Sequence, residues 1–448
     1  MGTVLIAVPN MNTESKYNIV VPYTDDEVLL YNTLSNSVCR LTKEEQQTIT
    51  NLMSDMELFE KEYPTLFNQL KTDGYIIDSN FDELEYIRFQ NRVQIFGDNR
   101  LHITINPTLD CNLTCWYCST EYAKATHCGR MSDETVEAIK RHIHNQIVEA
   151  RIPALHLDWF GGEPLMYFDE VISPIAEYAK ELCDKYNVKL TQHATTNAVL
   201  MTSQMMDKMN RLGFTSFQIP IDGNENHHNS IKFTSDRKGT FASVIANVNE
   251  VVERIPNISI ILRINYDKKT LYGISDIIPL ISENAKKHIV VDFQKVWQVH
   301  CNEQDKNQLS KMKRLFTENG LNSGYWAYRP HQFYRCYSDK FHHYAINYDG
   351  RLFKCTAQDY GDDKSIGKIN PDGTLTLKYE LLSKLISRGT FENDRCLSCK
   401  RLPLCMGPCM IRNHEARTQG ISLPCMSENS LYPFESYVIE TARARGLI

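Results

Sequence analysis

Residues 101–118 read LHITINPTLDCNLTCWYC, an apolar run followed at once by three closely spaced cysteines. Residues 101–106 show the alternating apolar side chains and β-branched content that are typical of a strand. The loop after this run holds Cys111, Cys115 and Cys118. The position of this loop in the fold depends on the sheet that the following segments form.

After residue 101, short β-rich runs alternate with longer runs of helical periodicity. Such alternation is typical of a parallel sheet with right-handed crossover helices. The predicted helices are at residues 132–151, 169–187, 203–212, 240–254 and 274–287. The predicted strands are at residues 101–106, 154–160, 189–195, 216–221, 258–265 and 288–295. We therefore expect an α/β fold, with a partial (β/α)6 TIM-like barrel over residues 98–305.

The cysteine loop has the spacing Cys-x3-Cys-x2-Cys. A cubane iron–sulfur cluster has four irons that are usually held by four thiolates, so three thiolates leave one iron free for another ligand. Cysteines at positions i, i+4 and i+7 can also form a small apolar face on a helix. The triplet alone does not decide between these two interpretations.

A Gly-Gly-Glu-Pro turn at residues 161–164 ends the second predicted strand. Two glycines let the backbone approach a ligand closely, and the carboxylate of Glu163 offers acceptors to an ammonium group. Alone, the turn also fits an ordinary strand end. Together with the cysteine loop it falls at the C-terminal edge of a parallel barrel, where such folds place their sites.

These two motifs resemble the radical S-adenosylmethionine (SAM) superfamily, whose hallmark is this cysteine spacing with an aromatic residue before the last cysteine. The resemblance covers residues 99–300. It implies that Cys111, Cys115 and Cys118 hold a catalytic [4Fe–4S] cluster whose open iron binds the methionine moiety of SAM. It further implies that SAM is cleaved to a 5'-deoxyadenosyl radical, while the protein orients the cofactor and excludes water.

The resemblance also implies which residues contact SAM. Related maturases have a segment like residues 217–225, which ends in Asp-Gly, and a basic residue beyond it. Here Pro220 stands where a hydroxyl residue is expected and Lys232 where an arginine is expected. A lysine cannot make the bidentate contact of an arginine. The predicted SAM contacts are Tyr117, Gly161, Gly162, Glu163, Lys232 and Arg263.

Half of the fourteen cysteines lie in the C-terminal quarter of the chain. Disulfides have little stability in a reducing cytosol. A cysteine-rich chain in which no targeting signal is evident therefore more commonly binds metal ions. From spacing alone, such thiolate sets suit zinc or iron–sulfur clusters. The seven are Cys336, Cys355, Cys396, Cys399, Cys405, Cys409 and Cys425.

The order and spacing of these cysteines resemble a SPASM domain, predicted here at residues 336–448 after a bridging region at 306–335. The resemblance implies two auxiliary [4Fe–4S] clusters. Relatives often have a cysteine where Pro330 stands, so the inner cluster keeps an open iron, which we favour, or takes a distant ligand such as Cys301. The outer set is Cys396, Cys399, Cys405 and Cys425, and the inner set is Cys336, Cys355 and Cys409.

Residues 1–97 predict a small winged-helix-like domain. Two β runs at 17–23 and 27–34 suggest a hairpin, and helical patterns follow at 42–56 and 58–70. This segment resembles the recognition element of peptide maturases, which captures a leader segment as an added strand. Its acidic character argues against a DNA-binding winged helix, and an ordinary structural extension is the other interpretation.

The composition of the chain limits the classes of partner that it is expected to bind. The net charge of −6, from 49 basic and 55 acidic residues, gives no broad cationic field for nucleic acid. No apolar run approaches the roughly 20 residues that span a bilayer, and no targeting segment is evident. We expect a cytoplasmic protein that binds neither nucleic acid nor membrane.

The sequence as a whole predicts a radical SAM peptide maturase, an oxidoreductase that takes hydrogen from a precursor peptide with a leader segment and forms a thioether or carbon–carbon crosslink. Flavodoxin or ferredoxin is the expected reductant. The second interpretation is oxidation of Cys or Ser in a sulfatase; it ranks lower because Thr356 follows Cys355 where those relatives have an aspartate. The third is a zinc-stapled binding adaptor.

Overall fold

A computed structural model of the chain describes residues 11–118, 127–300, 302–323, 332–387, 389–423, 425–426 and 433–448. The chain divides into two compact units. The first unit joins residues 1–97, 327–336 and 387–448. The second joins residues 98–326 and 337–386. Among the described residues, no helix is both long and apolar enough to cross a bilayer.

The N-terminal part of the first unit combines a small sheet with four helices. β2, β3 and β4 form an antiparallel sheet with β3 in the middle, and β1 pairs with β5. The predicted hairpin is confirmed, while the predicted helix 58–70 is two helices because Pro64 begins a new one. The elements are β1 Asn12–Glu14, β2 Asn18–Pro22, β3 Glu27–Asn32, β4 Val38–Thr42, α1 Lys43–Met53, α2 Met56–Glu62, α3 Pro64–Thr72, β5 Ile76–Asp78 and α4 Glu83–Phe96.

The second unit is built on a parallel sheet with crossover helices, as the alternation in the sequence predicts. The six predicted strands are present within two residues of their predicted ends, and β12 adds a short seventh strand. They are ordered β12-β11-β10-β9-β8-β7-β6. The elements are β6 Leu101–Ile105, α5 Asp133–His144, β7 Ala154–Trp159, α6 Ser173–Tyr186, β8 Lys189–Thr195, α7 Ser203–Leu212, β9 Phe214–Ile221, α8 Glu225–Ile231, α9 Phe241–Arg254, β10 Ser259–Tyr266, α10 Lys268–Gly273, α11 Glu283–His288, β11 Ile289–Lys295, α12 Glu303–Glu318 and β12 Asn322–Ser323.

The barrel strands alternate between fully buried and partly exposed side chains. On β7, Leu155, Leu157 and Trp159 are fully buried, whereas His156 and Asp158 between them are partly exposed. In such a sheet the crossover helices cover the buried face, and the other face lines the barrel interior. The polar side chains of the strands therefore point inward, toward the open centre of the partial barrel.

The sheet continues past β6 into a segment that the sequence assigned to a separate domain. β13 pairs in parallel with β6, and three antiparallel strands follow. Residues 337–386 thus pack with the barrel, whereas 387–448 belong to the first unit. The functional names given to the four predicted segments stay predictions. The added elements are β13 His343–Ile346, β14 Arg351–Phe353, β15 Gly367–Ile369, β16 Leu375–Leu377 and α13 Tyr379–Ser387.

The C-terminal part of the first unit packs on its N-terminal sheet. Tyr31 of β3 meets the rings of Phe434 and Tyr437 edge-on, with centroids 6.0 and 6.3 Å away. Lys400 Nζ also donates to the carbonyl of Asn18 at 3.0 Å. The remaining helices are α14 Asp394–Leu397, α15 Leu402–Cys405, α16 Met410–Gln419 and α17 Phe434–Ala444.

Candidate functional site

The glycine turn after β7 lies directly against the segment that leads into the cysteine loop. Gly162 N donates to the carbonyl of Thr108 at 3.1 Å, and Glu163 N donates to that of Asp110 at 2.8 Å. A Cβ on Gly161 would lie 2.2 Å from Thr108 O, and one on Gly162 2.0 Å from Asp110 O. The sequence explained these glycines by close approach to a ligand. In the structure they allow the backbone of the turn to approach the backbone before Cys111.

Glu163 is fully buried, and its carboxylate accepts three hydrogen bonds. Its carboxylate accepts hydrogen bonds from Leu165 N at 3.1 Å, Thr196 Oγ1 at 2.7 Å and Asn197 N at 2.7 Å. Burial raises the pKa of Glu163 to about 7, and these hydrogen bonds counteract that rise. The carboxylate therefore ties the turn after β7 to the loop after β8.

Asn197 carries this connection to the cysteine loop. Its Nδ2 donates to Asn112 Oδ1 at 2.7 Å and lies 3.9 Å from Cys111 Sγ. Sequence reasoning missed Asn197 and Asn112. The signal that would have found Asn197 is its place two residues after β8, at the strand edge where the site was expected.

The three cysteine thiols of the loop lie within electrostatic reach of one another. Burial, then the carboxylate of Glu163, raises the pKa of the Cys111 thiol to about 12, with smaller contributions from Cys115 and Cys118. Burial also raises the pKa of Cys115, whereas Lys232 lowers it. In the described residues, no three His, Cys, Asp or Glu side chains converge on one metal ion. A cubane cluster distributes its thiolates over separate irons, so its ligands do not meet at one point.

A buried network holds the other side of the cysteine loop. Tyr117 Oη donates to Asp222 Oδ2 at 2.6 Å. Asn265 Nδ2 reaches Tyr117 Oη at 3.2 Å and Asp222 Oδ1 at 3.3 Å. Arg263 Nε in turn donates to Asn265 Oδ1 at 2.9 Å. Arg263, a predicted SAM contact, is thus placed on the barrel's inner face, where it supports Asn265.

Lys232 completes this network from the end of α8. Its side chain is buried, with Nζ 3.5 Å from Cys115 Sγ and 3.6 Å from Asp222 Oδ2. The ammonium also lies 5.4 Å from the centroid of the Tyr117 ring. The structure therefore brings the predicted residues Tyr117 and Lys232 together at the cysteine loop, with Asp222 as an anionic partner that was not among the predicted site residues.

This geometry agrees with a comparison of the sequence with known families. Residues 105–270 match the Radical SAM superfamily. The chain carries a radical SAM domain. A radical SAM domain implies a [4Fe–4S] cluster and SAM, and the matched span contains the cysteine loop, the glycine turn and the network around Asp222.

Known proteins resemble the chain well beyond the radical SAM domain. The radical SAM cyclopropyl synthase TigE of Paramaledivibacter caminithermalis is 22% identical over 440 residues, covering 88% of this chain and 89% of TigE. The structure of native anSMEcpe with bound AdoMet superposes with a TM-score of 0.53 at 18% identity, covering 77% of this chain and 97% of anSMEcpe. Streptococcus suis SuiB bound to the precursor peptide SuiA gives a TM-score of 0.50 at 16% identity, covering 96% and 99%. At such identities the two structures show a shared fold.

Outside the radical SAM domain, the four cysteines of the predicted outer set lie near one another in the first unit. Burial, then the thiolates of Cys399 and Cys425, raises the pKa of Cys396. The pKa of Cys405 rises to about 11 through burial and through the same group of thiolates. Asn393 Nδ2 lies 3.3 Å from Cys396 Sγ. These shifts put the four thiols within electrostatic range of one another, but no three of them converge on one metal ion among the described residues, so the outer set stays a prediction.

The predicted inner set is distributed differently. Cys336 and Cys409 belong to the first unit and Cys355 to the second. Ala357 N lies 3.3 Å from Cys355 Sγ. Cys301 and Pro330, which bear on the missing fourth ligand, fall outside the described residues. The inner set therefore stays a prediction.

A second polar cluster lines the radical SAM barrel below the strand ends. The ring of His102 lies 4.5 Å from that of His156 and 4.6 Å from that of His343, and its Nε2 is 3.8 Å from Asp158 Oδ2. Burial lowers the pKa of His102 to about 3 and that of His156 to about 4, and it raises that of Asp158. The imidazoles are therefore neutral at physiological pH.

Proposed function

We propose that this chain is a radical SAM peptide maturase that removes two hydrogens from a precursor peptide and forms a thioether or carbon–carbon bond. The observation that carries the proposal is the hydrogen-bonded contact between the glycine turn and the backbone segment that leads into the cysteine loop, at one edge of the barrel. We propose that the cysteine loop holds an iron–sulfur cluster and that the glycine turn beside it contacts SAM. A zinc-stapled adaptor would have no use for a radical SAM domain.

The described residues fit a cluster with bound SAM. Cys111, Cys115 and Cys118 would hold the cluster, in one loop with two partly buried thiols and one exposed thiol. When bound, the cluster and SAM would supply a 5'-deoxyadenosyl radical that takes one hydrogen atom from the peptide. The chain itself fixes the loop through Asn197 on one side and Tyr117 on the other.

Formation of one new bond also requires a second hydrogen to leave the peptide as a proton and an electron. The reaction is therefore an oxidation of the peptide. Two auxiliary clusters on the C-terminal cysteines belong to the class of group that accepts such an electron. The four thiols of the proposed outer set influence one another electrostatically within the first unit, which supports this proposal.

The N-terminal sheet offers a place for the leader segment of the peptide. A groove of about 320 Å³ runs between this sheet and α1, with Ile19 and Val20 of β2 along one side and Ile49 and Met53 of α1 along the other. β2 is an edge strand of the three-stranded sheet. An extended peptide can add to such an edge and place alternate side chains in the groove.

The comparisons support a peptide substrate. TigE is a radical SAM cyclopropyl synthase, and its similarity covers 88% of this chain. SuiB, whose fold this chain shares over 96% of its length, has been solved with its precursor peptide. Oxidation of a sulfatase Cys or Ser is the second candidate, and Thr356 remains the residue that argues against it, since its hydroxyl bonds to Tyr337 rather than serving as an acid–base carboxylate.

Anaerobic incubation of the reconstituted enzyme with SAM, a strong reductant and its precursor peptide tests the reaction. We expect 5'-deoxyadenosine and a peptide about two mass units lighter for each new bond. Fragmentation locates the bond and distinguishes a linkage between two residues from oxidation of one Cys or Ser. Vigorous SAM cleavage with an unchanged peptide would refute the proposal.

Leader binding has a separate test. Val20 is 43% exposed, so Val20→Lys leaves the fold intact and places a charge in the groove. Loss of an apolar contact worth about 1 kcal/mol or more predicts that a leader fragment binds at least roughly fivefold more weakly. Val290→Lys, at a strand valine that is 36% exposed in the other unit, is the matched control. Equal affinities for the two variants would exclude this groove.

A further inference from the structure

The buried ammonium of Lys232 lies beside a thiol of the cysteine loop. Its Nζ is 3.5 Å from Cys115 Sγ, and the residue is 4% exposed. A lysine buried to this degree has to be paired, because an isolated buried charge is costly. Its position therefore depends on the groups around it.

Among the described residues, Asp222 is the only carboxylate that forms an ion pair with Lys232, at 3.6 Å. That carboxylate also accepts hydrogen bonds from Tyr117 Oη and Asn265 Nδ2. Asp222 is fully buried. Its negative charge is shared among three donors, which are Lys232 Nζ, Tyr117 Oη and Asn265 Nδ2. Lysine has three N–H donors, so one can point to Asp222 while another points to Cys115.

The chain fixes Lys232 from its backbone as well. Lys232 N donates to the carbonyl of His228 at 2.7 Å, and its carbonyl accepts a hydrogen bond from Thr240 Oγ1 at 3.0 Å. His228 in turn accepts a hydrogen bond from Asp222 N at 3.3 Å. Both charged residues are therefore anchored to one another through α8, which holds the ammonium against the cysteine loop.

We infer that Lys232 is a positioning residue that raises the reduction potential of the cluster held by Cys115, and that Asp222 limits this effect. One-electron reduction adds negative charge to the cluster and its thiolates. A nearby cation stabilises that charge, and hydrogen bonds to the ligand sulfurs act in the same direction. The inference rests on the proposed role of Cys115 as a cluster ligand.

Substitutions of Lys232 and of Asp222 should shift the midpoint potential of the cluster in opposite directions. Lys232→Met removes the cation and should move the midpoint potential to more negative values. Asp222→Asn keeps the cation and removes its counter-charge, so the potential should move to more positive values. Lys232→Arg retains the charge and should stay closer to the wild type than Lys232→Met.

The measurement is an EPR-monitored redox titration of the full-length, reconstituted enzyme, following the signal that changes on addition of SAM so that auxiliary clusters do not contribute. Lys295→Met is the control, because Lys295 is a partly buried lysine at the end of β11 that donates to the carbonyl of Val299. The midpoint potential of the Lys295→Met enzyme should equal that of the wild type.

The outcomes separate this inference from the proposed function. If the wild-type enzyme shows no SAM-responsive cluster signal, the assignment of Cys115 fails and the inference fails with it. If the signal is present but Lys232→Met and Asp222→Asn shift in the same direction, or match Lys295→Met, the inference alone is wrong. Should Lys232→Met fail to assemble the cluster, the sign of the Asp222→Asn shift decides.

Discussion

Replacing Gly162 by alanine is the most direct perturbation of the proposed site. The added carbon would lie 2.0 Å from Asp110 O and 2.5 Å from Leu109 O. Both are backbone atoms, so neither can swing aside as a flexible side chain does. A carbon–oxygen contact this short is strongly repulsive, and the turn would have to retreat by about 1 Å.

Such a retreat stretches the two hydrogen bonds that join the turn to the segment directly before the cysteine loop. These are Gly162 N to Thr108 O at 3.1 Å and Glu163 N to Asp110 O at 2.8 Å. Each lost bond costs about 1 kcal/mol, and a buried group left without a partner costs about 1–3 kcal/mol. The local cost is therefore about 2–5 kcal/mol. Because a displacement of about 1 Å at a reacting centre can lower a rate roughly 100-fold, we expect a comparable loss of SAM cleavage.

The assay is the rate of 5'-deoxyadenosine release under anaerobic conditions, measured alongside the thermal unfolding temperature of the same preparation. Gly389→Ala serves as the control, since a Cβ there meets nothing within 4 Å and its φ of −148° suits any residue. We expect the control to behave as the wild type. A Gly162→Ala enzyme that cleaves SAM within twofold of this control would show that the close approach of the two backbones does not organise the site.

Three further predictions follow from the contacts described above. Glu163→Gln replaces an acceptor by an amide and disturbs the bond from Asn197 N, so SAM affinity should fall by about tenfold, measured by binding titration, with the iron content unchanged. Cys115→Ala and Cys405→Ala should each lose about four irons per chain, yet only the first should abolish 5'-deoxyadenosine formation; equal SAM cleavage in both would contradict the assignment. His102 has its pKa lowered from 6.5 to about 3 in the folded protein, so the folded state binds fewer protons than the unfolded state below pH 6.5 and stability falls as the pH drops. Between pH 7.5 and 5.5, the free energy of unfolding of His102→Gln should fall by about 1.4 kcal/mol less than that of the wild type, measured by urea unfolding. An unchanged pH dependence would show that His102 is not the cause.

The barrel was predictable from the sequence because its strands and helices have strong, separate periodicities. The six strands are five residues or more in length and are flanked by capped helices, for example α5, whose Ser132 side chain accepts from Thr135 N. β12 is only two residues long and left no readable pattern. The parallel pairing of β13 with β6 joins residues about 240 positions apart, and no local pattern reports a pairing of that kind.

The site was predictable where its chemistry is local in the sequence. The cysteine loop and the glycine turn are short motifs, whereas their partners come together only by folding. Asp222, Asn265 and Lys232 meet Tyr117 from β9, β10 and α8, so the sequence could name Lys232 from its resemblance to the family but not its contact with Cys115. The sequence also explained Gly162 by close approach to a ligand, because a sequence does not show which backbone segment packs against a glycine.

The continuation of the barrel sheet changes how the C-terminal cysteines relate to the radical SAM domain. β13 lies between β6 and β14, and Asn106 Nδ2 donates to Asn347 Oδ1 at 3.1 Å where β6 and β13 end. Cys355 follows β14 by two residues, so a hydrogen-bonded ladder connects its strand to the one that leads into the cysteine loop. Without β13, β6 would be an edge strand with unpaired backbone groups at the base of that loop. The segment that carries Cys355 is therefore part of the barrel's own structure, which is why a boundary drawn from cysteine spacing alone cuts through a continuous sheet.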